Sequence, residues 1–489
     1  MSHSSIGDKN SFWVAGERFS VTCSSLNERG QGLFTNGQQI LAIPGLLPGE
    51  TAEIQIEYKR VHSPIFIASI QAISHPSPHR REPACAVYGE CGGCTLQHMS
   101  YDQQLVWKQS LVQQALCDFL PDLNRVEPCV PSGHEGFLGR RHAKYIAACL
   151  TAKTRQPQTT KQKDTQLSLG SYKPGSHELV CMDECKVVYP LINDVQKFIA
   201  QQANLLGITS FDEKALTGQL RHVILREGNE QQLLVGLIFY QLPTEEILQK
   251  LLQQLTLYFP TIKGVCVYSN LDTGNAILPF GAHERVLFGK PYLWEQMDGY
   301  TYRTSLRSFV QANKEVATRM YKTVSSLLCL KTGDTVLDLY CGTGAMGFTT
   351  LIDRPVFSLV GIEENPYAYS DLLATVEQGP DFFKNSSFIN QRVDHWVRIK
   401  TPLFEMAGEK LIVIVNPPRK GCESVVMDWL CNRQPKQIVY VSCFLDSLQR
   451  DLQILCKCGY QIASVIPFDL HPQTQHVETL VVLQSTSFS

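Results

Sequence analysis

Val336-Leu-Asp-Leu-Tyr-Cys-Gly-Thr-Gly-Ala345 decides how the second half of this chain is read. Five strand-favouring residues run into two glycines, and a helix-length segment follows. Gly342 and Gly344 let the backbone come close to a ligand at the carboxyl end of a strand, where open α/β sheets hold nucleotide-like molecules. A lone Gly-x-Gly is also what an ordinary tight turn looks like. The next apolar run, Leu359-Val-Gly-Ile362, ends in Glu363, an acid placed to accept hydrogen bonds from both hydroxyls of a ribose. Together the two features are more specific than either alone. The adenosyl group of S-adenosylmethionine fits them as well as a dinucleotide does.

Outward from that turn, buried-strand runs at Thr335 to Leu339, Ser358 to Ile362, Leu411 to Val415 and Gln437 to Val441 alternate with helix-length segments. That alternation predicts a doubly wound, mainly parallel sheet. The run ending Ile414-Val-Asn-Pro-Pro-Arg-Lys-Gly421 stops at two prolines, which cannot continue a ladder. Asn416 can both donate and accept, and Arg419 and Lys420 offer charge to a phosphate. Ile438-Val-Tyr-Val-Ser-Cys443 ends the next strand in a thiol. A lone cysteine is most often inert core, but this one shares its sheet edge with the glycine turn and the Asn-Pro-Pro-Arg string, which favours a reactive thiolate. Near the C-terminus, Glu478 precedes Leu480-Val-Val-Leu483 and reads either as a solvated strand-end acid or as a general base.

The first half is built differently. Phe19 to Thr22, Ile54 to Tyr58 and Ile65 to Ile70 alternate as half-buried strands, with turns at Gly30, Gly37 and Gly49. They predict a small barrel of the OB type, which serves either as an RNA platform or as structure alone. A cysteine-rich stretch follows, Cys85-Ala-Val-Tyr-Gly-Glu-Cys91-Gly-Gly-Cys94. Three thiols in ten residues around a Gly-Gly are hard to explain as core packing, and a fourth ligand would come from Cys181 or Cys185. Zinc and a [4Fe–4S] cluster both suit thiolates; the spacing is not the two Cys-x-x-Cys pairs of a zinc ribbon, which points to iron–sulfur. Tyr101 to Phe119 and Glu245 to Leu257 carry helical spacing, and Thr151 to Gln166 reads as a polar mobile insertion.

At 489 residues the chain calls for two or three domains, and 44% hydrophobic with 18% charged residues is an ordinary globular balance. No run is a membrane span and no secretory signal opens the chain, so a cytoplasmic protein is expected. Seventeen cysteines without an export signal predict reduced thiols rather than a disulfide framework. The formal charge of −2 does not announce a nucleic-acid binder, so any basic surface must be local. Arg140, Arg141, His142 and Lys144 form one candidate and His79, Arg80 and Arg81 another; a solvated face is the plainer reading of each.

With these residues in place, the sequence resembles the uracil-5 RNA methyltransferase family, in particular members with an N-terminal TRAM domain and an iron–sulfur cluster. The resemblance covers nearly the whole chain. It implies an α/β protein in three parts: a TRAM-like barrel over 12–75 that binds RNA, a central α+β iron–sulfur domain over 76–304, and a Rossmann-like catalytic domain over 305–489. It implies a [4Fe–4S] cluster on Cys85, Cys91, Cys94 and Cys185. It places S-adenosylmethionine contacts on Gln311, Tyr340, Glu363 and Asn416 beside Gly342 and Gly344, the nucleophile on Cys443 and the proton-abstracting base on Glu478. A monomer acting on 23S rRNA is the implied assembly and substrate, tRNA being the alternative. Three positions depart from the family pattern: Asn416 where Asp is common, Ala345 where Asn is frequent, and Phe444-Leu445 where Asn-Pro is usual. An RNA-binding protein with an impaired catalytic domain and a radical enzyme are the rival readings. The paired Cys443 and Glu478 oppose the first, and five residues in the first cysteine gap oppose the second.

Overall fold

The computed structural model describes residues 13–488, apart from 38, 62, 121, 150–165, 273, 275, 298, 353–357 and 400–407. The polar insertion expected over 151–166 therefore falls almost wholly outside the described residues. The chain divides into two compact units. The first runs to Trp107 and includes Gln473–Gln475; the second comprises Lys108–Pro472 and His476–Ser489. Among the described residues no helix is long and apolar enough to cross a membrane.

The first unit holds a six-stranded sheet in the order Arg18–Thr22, Thr51–Lys59, Ile65–His75, Ile40–Ile43, Gly32–Thr35, Ser25–Leu26. Only Ile40–Ile43 and Ile65–His75 run parallel. The period-2 pattern seen in the sequence is the reason these segments pair: Ala52, Ile54 and Ile56 point inward while Glu53 and Glu57 point out. Their inward faces join Leu41, Ile43, Leu46 and Ala68 in one core, closed by Trp13 edge-on to Phe66. Each such side chain contributes about 1.5–3 kcal/mol on burial.

Arg80, offered as a surface cation, is instead a structural partner of this unit. Its guanidinium takes both carboxylate oxygens of the fully buried Glu50, at 2.5 and 2.6 Å, and the carbonyl of Gly45. Burial pushes the Glu50 carboxyl up, but Arg80 and the N–H groups of Ser77 and Leu47 outweigh it and hold it below its usual range.

In the second unit, a seven-stranded sheet runs His283–Gly289, Ile262–Ser269, Leu233–Phe239, Leu220–Glu227, His142–Cys149, Leu167–Tyr172, Leu179–Cys181. Its single parallel pair, Leu233–Phe239 with Ile262–Ser269, is joined by helix Glu245–Tyr258. A second seven-stranded sheet runs Ser387–Asn390, Ser358–Glu363, Thr335–Leu339, Leu411–Val415, Gln437–Ser442, Glu478–Ser485, Tyr460–Phe468. The first five strands are parallel; Glu478–Ser485 runs antiparallel to both of its neighbours, so Tyr460–Phe468 takes the direction of the first five again. The three central strands are buried along their whole length, as sheets covered on both faces require. The strand order reverses between Thr335–Leu339 and Leu411–Val415, and such a switch point opens a crevice at the carboxyl ends.

Helix Lys314–Leu327 leads into this sheet. Asn313 caps it, its Oδ1 accepting from the Val316 N–H at 3.2 Å. Val316, Ala317, Met320, Tyr321 and Val324 lie at helical spacing and face the core. One finding differs from the sequence expectation of reduced thiols: Cys431 and Cys458, 5.5 Å apart at Cα, form a disulfide at the ends of two neighbouring helices. The distance falls in the range a bridge needs, which cysteine spacing alone does not reveal.

Candidate active site

The glycine turn begins where strand Thr335–Leu339 ends. Tyr340, Gly342 and Gly344 all take positive φ, at 64°, 58° and 79°. At Gly344 a side chain would meet the Phe348 ring at 2.5 Å, so glycine is required for space as well as for conformation. Tyr340 is not a glycine, and holding it there stores about 1–3 kcal/mol of backbone strain. The turn is tied to the next strand: the Gly342 N–H donates to Glu363 Oε2 at 2.8 Å and the Asn365 N–H to Oε1 at 2.7 Å. Burial pushes the Glu363 carboxyl up, and these two bonds partly offset it.

Above the turn lies a partly open cleft. Gln311, Tyr340, Gly342 and Asn416, four residues singled out in the sequence, line it together. Glu363 and Gly344 are not on its wall; they hold the turn that is. Asp338, fully enclosed beneath the turn, lines it as well, and burial raises its carboxyl to about 7.

The thiol and the acid come from adjacent strands. Ser442 pairs with Thr479 in the antiparallel ladder, so Cys443 and Glu478, one residue beyond each, leave the sheet side by side. Glu478 is buried, and desolvation raises its carboxyl to about 8. It is not a solvated strand-end acid. Burial and the Glu478 carboxyl also raise the half-buried Cys443 thiol, while the charge of Arg419, and to a lesser degree its hydrogen bond, works the other way. Asp469, nine residues before Glu478, is not available as a base: it is fully buried and paired with the equally buried Lys108 at 2.5 Å.

Arg419 is aimed by the loop it sits on. The Gly421 N–H donates to the Pro418 carbonyl at 2.8 Å, and Asp451 accepts from the Cys422 N–H at 2.9 Å and the Tyr440 hydroxyl at 2.6 Å. Arg450 donates to the carbonyls of Lys420 and Cys422. Gly421 has φ +76°, and a Cβ there would lie 2.5 Å from the Arg450 guanidinium and 2.7 Å from the Asp451 carboxylate. The Asn-Pro-Pro-Arg-Lys-Gly string is therefore a braced loop that delivers Asn416 to the cleft and Arg419 to the thiol.

Comparison with known proteins now decides the family. An RNA methyltransferase of Halalkalibacterium halodurans, named as uncharacterized, is 30% identical over 468 residues, covering 95% of this chain and 96% of its own. The chain belongs to the uracil-5 RNA methyltransferase family. The family model described as tRNA (Uracil-5-)-methyltransferase matches residues 396–486, which carry the Asn-Pro-Pro-Arg loop, Cys443 and Glu478. A relative in Thermosynechococcus vestitus is 28% identical over 495 residues, across 97% of this chain and all of its own. In fold, the methyltransferase is similar to the Pyrococcus abyssi tRNA (uracil-54, C5)-methyltransferase solved with S-adenosyl-L-homocysteine. That likeness has a TM-score of 0.72 and 24% identity, over 95% of this chain and 99% of that one.

The methyltransferase cleft also contains His142, from the basic cluster, and residues that no motif announced: Arg226, Glu227, Glu295 and Lys314. They come from the central sheet, the hairpin Tyr292–Met297 with Tyr300–Ser305, and the start of helix Lys314–Leu327. The Arg140–Lys144 cluster is thus partly a cleft wall rather than a solvated face. Arg141 stacks over Tyr189 at 4.5 Å and bonds the Gly228 carbonyl, and burial drives the His142 imidazole well below its usual value. The only sequence signal was charge inside apolar strands, as in Leu225-Arg-Glu227.

Proposed function

We propose that this methyltransferase places a methyl group on carbon-5 of a uridine in RNA, most naturally 23S rRNA, through a covalent adduct with Cys443. The observation that carries the reading is the pairing of Cys443 with a buried acid, Glu478, at one strand edge beside the cleft. S-adenosylmethionine supplies an electrophilic methyl group. Gln311, Tyr340, Gly342 and Asn416 are the contacts proposed for it, with Glu363 and Gly344 fixing the turn.

Carbon-5 of uracil is too weak a nucleophile on its own. Addition of the Cys443 thiolate to carbon-6 gives an enolate whose carbon-5 takes the methyl group as the methyl–sulfonium bond breaks and S-adenosylhomocysteine leaves. Arg419, donating to the thiol, favours the thiolate that attacks. Glu478 as carboxylate then removes the carbon-5 proton; the ring electrons return and the carbon-6 to sulfur bond breaks, releasing the thiolate. Splitting one difficult step into easier ones is the gain of covalent catalysis. The target base must leave its stack to reach Cys443.

A [4Fe–4S] cluster on Cys85, Cys91, Cys94 and Cys185 rests on the spacing of the first three cysteines and on the family resemblance, which picks Cys185 over Cys181. None of the four is in a disulfide. Yet among the described residues no group of three or more His, Cys, Asp or Glu side chains is gathered as a metal needs. The residues as they stand do not form the set, and no step is routed through a cluster.

The division into an RNA-binding barrel over 12–75, a central domain over 76–304 and a catalytic domain over 305–489 belongs to the same proposal, as do a monomeric state and a cytoplasmic location. The printed names of the family model and the Pyrococcus abyssi protein favour tRNA as a second reading. Mapping 5-methyluridine in ribosomal and transfer RNA from cells with and without the gene separates them. Loss of one rRNA site supports the first, and loss confined to tRNA supports the second.

A further inference from the structure

Phe444 follows the nucleophile directly, and its side chain is in the wrong place for an ordinary phenylalanine. It occupies the N-cap position of helix Leu445–Lys457, where a short polar side chain normally accepts from the first free N–H groups. No side-chain cap is made here. The residue is 44% exposed, although a buried core lies one residue away along the same strand end. Its backbone, in contrast, is fixed. The Phe444 N–H donates to Ser442 Oγ at 3.2 Å, and its carbonyl accepts from Ser442 Oγ, Ser447 Oγ and the Leu448 N–H. A rigid stem thus carries an exposed ring beside the reacting thiol.

The surroundings carry charge of both signs, with Asp446 in the first turn of the same helix. The first turns of this helix pack on the braced loop, Ser447 Cβ lying 3.0 Å from where a Gly421 Cβ would be, and Arg450 binding the Lys420 carbonyl. The Lys420 and Arg450 side chains are 63% and 51% exposed, the first paired with Glu423 at 2.5 Å and the second with Asp451 at 2.7 Å. An exposed aromatic offers single-stranded nucleic acid a face on which a base can stack, and the exposed Arg419 beside the Cys443 thiol offers charge to a phosphate. An isolated exposed phenylalanine would call for no explanation. This one combines a forfeited cap, a fixed backbone and contact by sequence with the nucleophile, at a position where the family usually carries Asn-Pro.

We infer that Phe444 is a base-stacking residue: its ring covers the face of the nucleotide next to the target uridine, exposed when that uridine is drawn out of the stack. The inference rests on RNA being the substrate and Cys443 the nucleophile. Stacking reads no base edge, so it positions the strand and tolerates any neighbouring base.

The test compares Phe444→Ala, Phe444→Leu and Phe444→Trp with the wild-type protein by two readouts. The first is steady-state methylation of transcribed, unmodified 23S rRNA and tRNA. Phe444→Ala and Phe444→Leu should raise the RNA KM about fivefold to a hundredfold, the range of one lost base–aromatic stack, with kcat much less affected. Phe444→Trp should retain the wild-type KM or better it. The second readout is the fluorescence of a twelve-nucleotide oligouridine carrying one 2-aminopurine. It should be quenched by the wild-type and Trp proteins and much less by Ala and Leu. Equal quenching by all four proteins, or Trp as impaired as Ala, overturns the inference. Because quenching needs no methyl transfer, a wild-type protein that quenches but methylates neither RNA would count against the proposed activity and not against Phe444.

Discussion

Removing the charge that Glu478 can carry has a consequence for stability whose size follows from its burial. In the fold its carboxyl is raised to about 8 by desolvation, against 4.5 for the free group. Between those values the unfolded chain loses a proton that the folded protein keeps. The folded state's advantage is therefore complete below about pH 4.5 and is lost progressively as pH rises to about 8. At about 1.4 kcal/mol per unit, the loss across the whole span is on the order of 5 kcal/mol. Gln fills nearly the same volume but cannot ionise, so Glu478→Gln escapes that loss. The stability of the variant minus that of the wild type should climb by about 4 kcal/mol between pH 5 and pH 8 and then level off. Urea denaturation of both proteins at unit steps from pH 5 to pH 9, followed by circular dichroism, measures the difference directly. A difference that stays constant with pH would refute the reasoning, because it would mean that Glu478 meets water or a cation in the fold.

Other expectations follow from the same site. The wild-type kcat/KM for RNA should rise with pH through about 8, since Glu478 acts as carboxylate and Cys443 as thiolate; a profile that falls from pH 6 to pH 9 contradicts this. Asp451→Ala leaves the Tyr440 hydroxyl and the Cys422 N–H without their partner, so it should cost about 2–4 kcal/mol in denaturation and weaken S-adenosylhomocysteine binding measured by calorimetry. Asn313→Ala removes a helix cap and the bond to Ser132, and should lower stability by about 1–2 kcal/mol with the Cys443 thiol reacting as before. Anaerobically purified protein should hold iron and sulfide if the four cysteines are ligands; zinc without iron, or no metal, would remove the cluster from the account.

How far the sequence could be read depended on whether a feature was local. The glycine turn, the Asn-Pro-Pro-Arg string and the strand-end cysteine are each contiguous, and each stands at the carboxyl edge where its pattern placed it. Strands such as Leu233–Phe239 and helix Glu245–Tyr258 were visible because apolar runs and helical spacing are local properties. Helix Pro190–Leu205 carries the same local signal, with Ile192, Val195 and Ile199 at helical spacing. The rest could not be read, because it depends on what lies opposite. Glu478 looked equally like a solvated acid until its burial was seen, Arg80 looked like a surface cation until Glu50 was found beneath it, and Glu227 and Lys314 reach the cleft from separate elements. The Cys431–Cys458 bridge belongs with these, since pairing across 27 positions is set by two helix ends and not by spacing.

The central claim is that Cys443 attacks the base and Glu478 releases it, and trapping the adduct tests both at once. Glu478→Gln protein should be incubated with S-adenosylmethionine and unmodified transcribed rRNA and tRNA, then run under denaturing conditions. The account predicts an RNA-dependent band that survives denaturation, carries the transferred methyl group, and disappears when Cys443→Ala is added to the same chain. Normal turnover by Glu478→Gln with no trapped species, or an adduct that persists without Cys443, would contradict it.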